Sequence, residues 1–197
     1  MTKAKIGRPR SEKSQEAVIK ATHDLLNEKG AGGLTVEAIA KRAKVGKPTI
    51  YRWWPTLADI VLETVLSQAD STITVLSSES FQETLRQFLR QSMDAINDGG
   101  GAHLRFLMAQ AQKDEDFQER FRNNFTAKRR ATLKSVFLQA LERGQISPEQ
   151  NLDMLLDLIF GAMWYRLLIG HAPMNEPFAD ELTDVVIRLV QAYPELR

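Results

Sequence analysis

Cysteine is absent from the 197 residues, which excludes disulfide frameworks, thiolate metal sites and cysteine nucleophiles and suits a cytosolic chain. Long hydrophobic runs are missing too. The longest apolar stretch, 155–169, is broken by Asp157 and Arg166 and falls short of the roughly 20 residues that cross a bilayer. Histidines stand only at 23, 103 and 171, without the paired spacing of a zinc site or a nucleophile beside them. Glycines 30, 32 and 33 follow a helical pattern rather than a strand and lack the spacing of a phosphate-cradling fingerprint, so turn chemistry explains them. No catalytic residues, metal ligands or cofactor motif assemble. The basic N-terminus leads into no apolar segment and does not read as a secretory signal.

What is present is an ordinary globular mixture, 43% hydrophobic and 26% charged, with the two kinds interleaved. The formal net charge of +1 conceals an asymmetry. Residues 1–60 carry 12 basic and 6 acidic side chains, a net of +6, and the remainder carries 14 and 19, a net of −5. The positive end is a candidate surface for a polyanion. Strand signals are nearly absent and apolar residues recur at three- and four-residue spacing, so the fold is expected to be all-α. Val18, Ala21, Leu25 and Leu26 mark a helix over 14–29, ended by Gly30. Thr35 caps a second helix over 36–44. Val45 and Gly46 make a turn into a third over 47–53, where Pro48 is tolerated in the first turn. A fourth helix starts at Thr56 and runs toward the serines at 77–80. Further helices are expected over 81–98, 102–111, 116–143, 148–169 and 179–193.

Two short helices around a tight glycine turn have the size and chemistry of a helix-turn-helix. The second is short because only its first turns must enter a major groove. Lys47, Pro48 and Thr49 at its start are the expected groove contacts. The hydroxyls of Thr35, Tyr51 and Thr56 suit phosphate oxygens, although Tyr51 can equally anchor the helix to a small core, the expected role of Trp53 and Trp54. Arg42 and Lys44 are either phosphate contacts or part of a solvated helix face with Lys41. Arg8 and Arg10 lie on a basic arm, 1–13, that either reaches a minor groove or serves as a solubilising tail.

The run 34–62, LTVEAIAKRAKVGKPTIYRWWPTLADIVL, resembles the DNA-binding domain of TetR-family regulators, and the likeness extends over roughly 14–66. The resemblance implies a three-helix head over 14–55, with its third helix in the major groove. It also implies a helical ligand-binding body over 56–197 that dimerises through its last two long helices, about 148–170 and 179–193. Members often carry Ser-Lys or Asn-Lys at the start of helix four, with the lysine on a phosphate. Thr56-Leu57 stand there in this chain, so that contact is not carried over, and Arg52 is the candidate to compensate.

Apolar faces on the last two helices (Leu152, Leu155, Leu156, Ile159, Met163; Leu182, Val185, Val186, Leu189, Val190) serve either such an interface or a monomer core. The body is rich in aromatic residues, which pack a core or line a cavity between helices. Phe88, His103, Phe106, Leu107, Phe121, Phe125, Phe160, Trp164 and Leu168 are the candidate ligand contacts, and an apolar or aromatic effector suits them. The expectation is a cytoplasmic homodimer, nucleoid-associated when bound to operator DNA and released from it by a small molecule, with no membrane partner. The rivals are a helical enzyme, which lacks assembled catalytic groups, and an architectural DNA binder, which leaves the body unexplained.

Overall fold

The computed structural model describes residues 12–72 and 80–191; Arg8, Arg10 and the stretch expected to extend helix four lie outside them. Among the described residues, ten α-helices follow one another without a strand. Helix α1 (Glu12–Lys29) buries Val18, Ala21, Thr22, Leu25 and Leu26 on one stripe. It ends at Gly30, whose φ of 65° is costly for a side chain bearing Cβ. Helix α2 (Val36–Ala43) starts at Thr35, whose hydroxyl accepts from the Ala38 N–H at 3.1 Å. It stops one residue earlier than expected because Lys44 turns left-handed, with φ 54°.

Helix α3 (Lys47–Trp53) opens with Pro48 in its first turn and buries Ile50. Helix α4 (Leu57–Thr72) lies against α1 and carries the chain out of this cluster. Ile39, Ile50 and Ile60 are fully enclosed where these helices meet, each contributing about 1.5–3 kcal/mol of transfer free energy. The same buried cluster continues into Leu104, Phe106, Leu107, Phe117 and Phe121, so the small helices rest on the rest of the molecule.

A second buried cluster is built by α5 (Phe81–Ala95), α8 (Ala127–Glu142), α9 (Leu152–Ile169) and α10 (Glu176–Gln191). Arg90 forks onto Asp180 at 2.6 and 2.8 Å, and Arg86 reaches Asp180 and Asp184, tying α5 to α10. Between α5 and α6 (Gly101–Ala111), the wide turn Ile96–Gly100 leaves helical geometry at Asp98 and Gly99. Gly99 has φ 96°, and a Cβ there would strike the Asn27 amide of α1.

The expected single helix over 116–143 is two helices. Helix α7 (Glu115–Phe121), capped by Asp114 on the Phe117 N–H at 2.9 Å, passes through a wide turn, Arg122–Thr126, into α8. Such i→i+5 turns keep the chain helical while re-aiming side chains. The start of α9 also shifts: it begins at Leu152, after an Asn151 cap, rather than at 148.

Candidate nucleic-acid interface and effector cavity

Ile50 and Trp54 point into the core, and the opposite face of α3 exposes Lys47, Pro48, Tyr51 and Arg52, with Thr49 half-buried beside them. Tyr51 is 52% exposed, so it does not anchor the helix. Trp54 does: it is 2% exposed and its indole N–H donates to Glu63 at 2.5 Å, a carboxylate that Gln15 of α1 also holds. Trp53 packs half-buried, with the Arg52 guanidinium 5.8 Å from its ring centre.

Two of the candidate DNA contacts already have acidic partners. Lys47 pairs with Glu37 at 2.9 Å, and Arg42 forks onto Glu28 at 2.7 and 2.8 Å. Each pair holds its carboxylate below the usual range, chiefly through the hydrogen bond from the cation. Lys44 and Thr35 are exposed. The Thr35 oxygen accepts the Ala38 N–H, which leaves its own proton for an acceptor such as phosphate.

Thr56 has a different occupation. Its hydroxyl donates to Asp59 at 2.7 Å and accepts the Asp59 N–H at 3.2 Å, while its own N–H donates to the same carboxylate at 3.1 Å. This reciprocal capping box starts α4. The other oxygen of Asp59 accepts from Arg120 of α7 at 3.2 Å, tying the start of α4 to the body. Asp59 and Arg120 were not among the candidates, although Thr-x-x-Asp ahead of an apolar run is itself a helix-start signal.

A cavity of about 520 Å³ lies among α5, the wide turn before α6, α8 and α9. Phe125, Phe160 and Trp164 line it, joined by Leu104, Met163 and Leu167. The other candidates sit elsewhere. Phe106, Leu107 and Phe121 are packed in the first buried cluster and Phe88 in the second, while Leu168 is 44% exposed on the outside of α9.

His103 is fully buried and stacks on His23 of α1, ring centres 5.1 Å apart, with Nδ1 2.8 Å from the Gly99 carbonyl oxygen. Burial holds its pKa below the ordinary value; the Gly99 bond opposes this and the neighbouring His23 adds to it. His23 itself reaches the cavity wall, as does Val65 of α4.

The wall contributes two arginines that aromatic patterning did not suggest. Arg129 of α8 donates from Nη2 to Ser92 Oγ at 3.0 Å and lies 5.1 Å from the Phe88 ring centre. Burial brings its pKa down to about 10. The adjacent Arg130 pairs with Asp157 and, at 3.4 Å, with Asp153 at the solvent edge. Among the described residues, no three His, Asp or Glu side chains converge to hold a metal ion, and no helix is long and apolar enough to cross a membrane.

Residues 18–64 match the family described as bacterial regulatory proteins, tetR family, and residues 77–186 match the tetracyclin repressor-like C-terminal domain. The chain is 32% identical over 189 residues to the uncharacterized HTH-type transcriptional regulator YdeS of Bacillus subtilis, covering 96% of each. The TetR family transcription regulator SCO0332 superimposes with a TM-score of 0.73 at 30% identity, over 91% of this chain and 98% of that one. FadR of Bacillus subtilis in complex with stearoyl-CoA shares the fold, with a TM-score of 0.69 at 14% identity over 87% of this chain and 97% of its own. With both halves matched and nearly all of YdeS aligned, the chain belongs to the TetR family of helix-turn-helix, DNA-binding transcriptional regulators and is not an enzyme.

Proposed function

We propose that this regulator is a cytoplasmic repressor that binds a two-fold operator as a homodimer and leaves it when a small, largely apolar effector enters the cavity. The observation that carries the reading is the make-up of the cavity wall: His23 belongs to α1 and Val65 to α4, the helices on which the DNA-facing helices rest. A ligand touching them favours one setting of the head over another, and a differential affinity of about 1–3 kcal/mol is the usual scale of such coupling. That FadR holds stearoyl-CoA in the same fold supports a body able to accept small molecules.

In this reading Lys47, Pro48 and Thr49 face the groove, and Thr35, Arg42, Lys44, Tyr51 and Arg52 meet the backbone. Arg8 and Arg10 follow from the arm, and the division is 1–13, 14–55 and 56–197. Dimerisation draws support from an exposed apolar stripe. Met154, Leu158, Tyr165 and Ile169 on α9 stand 54%, 48%, 59% and 63% exposed, with Val185 and Leu189 beside them on α10. The expected interface faces differ from this stripe. Leu155, Leu156, Ile159, Met163, Leu182, Val186 and Val190 are buried within one chain, and of the residues named for those faces only Val185 and Leu189 stand exposed.

The test is the affinity of the protein for duplex from beside its own gene and for scrambled duplex, across a salt series. Two chains per duplex and a preference of about 10³ or more for the first duplex are expected. Equal, weak binding to both would refute an operator-specific repressor.

A further inference from the structure

Arginine is seldom buried without a carboxylate, because removing its charge from water is costly unless the charge is paired. Arg129, half-buried in the cavity wall, has no carboxylate partner among the described residues. Its guanidinium carries five N–H donors, and among the described residues its polar partner is one neutral hydroxyl, Ser92 Oγ, itself committed to the Phe88 carbonyl oxygen at 2.7 Å. The acids nearest to hand do not relieve it. Of the acids on the cavity wall, Asp157 pairs with Arg130 and Asp98 stands exposed. The rest of the cavity wall is largely apolar and aromatic, with His23 and Thr126 as its further polar side chains. A cation so held is preorganised for an anion from outside, and a planar guanidinium fork matches a carboxylate best.

We propose that the cavity takes an amphipathic organic acid, its carboxylate paired with the Arg129 guanidinium and its apolar chain or ring lying against Phe125, Phe160, Met163 and Trp164. The assignment rests on the ligand-responsive repressor described above and adds the chemistry of the effector. Volume agrees with it, since about 520 Å³ falls within the roughly 300–1,000 Å³ of pockets for drug-sized molecules. Phe125 lies in the wide turn and Arg129 one helical turn after it, so part of the apolar lining and the anion anchor come from one short segment.

The probes are decanoate and 2-naphthoate, each against its neutral carboxamide, titrated calorimetrically into wild type and Arg129→Met. Wild type is expected to prefer each acid over its amide by about 10- to 100-fold, the scale of a charge-assisted hydrogen bond. Arg129→Met is expected to lose that preference and to melt no lower than wild type, because a half-buried charge without a carboxylate partner is replaced by an apolar chain of similar length. Equal binding of acid and amide, no binding of either acid, or a large loss of stability in Arg129→Met would overturn the assignment. Operator discrimination by wild type in the same preparation separates the two readings. If it persists while the acids fail, only the effector chemistry falls; if it is absent, the repressor falls as well.

Discussion

Replacing Asp59 with alanine tests how the DNA-binding end is fastened to the body. The change deletes the acceptor for the Thr56 N–H and hydroxyl, and with it the partner of Arg120. Loss of a helix cap costs about 1 kcal/mol, within a range of about 0.5–2. The Arg120 pair is discounted because that side chain is 42% exposed while Asp59 is 14% exposed, which leaves about 0.5–1 kcal/mol. A sum of about 1.5–2 kcal/mol lowers the melting temperature of a chain this size by about 3–8 °C, at about 2–4 °C per kcal/mol. Arg120→Ala removes only the second part and is expected to cost about 0.5–1 kcal/mol. A double-mutant cycle of the two, read by thermal melting, isolates the tie across the elements. Additive effects within about 0.3 kcal/mol would show that Arg120 and Asp59 do not act together, and an Asp59→Ala protein melting with wild type would refute the capping box.

Lys44→Gly is expected to raise stability by about 0.5–1 kcal/mol, because glycine accepts the left-handed backbone without strain, and at the same time to weaken DNA binding if the Lys44 ammonium meets a phosphate; a lower melting temperature would contradict the strain. Leu158→Asp places a charge in the exposed stripe of α9 and should leave a 22.3 kDa species in sedimentation where wild type sediments as a dimer. Wild type sedimenting at the smaller mass would refute the interface. The buried His103 resists protonation, and its ordinary value is 6.5. Its contribution is therefore complete above about pH 6.5 and is lost as pH falls toward its lower folded value, since the unfolded chain takes up the proton first. Melting temperature should fall more for wild type than for His103→Phe between about pH 8 and pH 5.5, and equal falls would remove His103 from that dependence.

The helices nearest the N-terminus were legible because each carries its own punctuation: Thr35 before α2, Gly46 and Pro48 at α3, Gly30 after α1. Where punctuation is missing, reading failed. Nothing between Asp116 and Arg143 breaks a helix, and the wide turn Arg122–Thr126 contains neither glycine nor proline, so α7 and α8 looked continuous. Helix α9 is apolar on nearly every side, and periodicity therefore could not tell Ile159, which is enclosed, from Leu158, which is 48% exposed. Aromatic type alone does not separate a cavity wall from a core, as Phe125 and Phe121 illustrate. Arg129 was hidden for a different reason: it follows Lys128 and precedes Arg130 in a stretch that reads as solvated charge, and only the packing of α5 against α8 turns it inward.

The wide turn also sets the phase of everything after it. An α-helix advances about 100° per residue, so a chain with one residue fewer in that turn would keep its helical content and its length within about 1.5 Å, yet would swing Arg129 roughly a quarter of the way round the axis. Its place would pass to Arg130, a cation that already has carboxylate partners in Asp157 and Asp153. A single-residue length change, nearly invisible to fold comparison, would thereby exchange a cation without a carboxylate for one whose carboxylates move with the surrounding packing, while leaving the DNA-facing helices untouched.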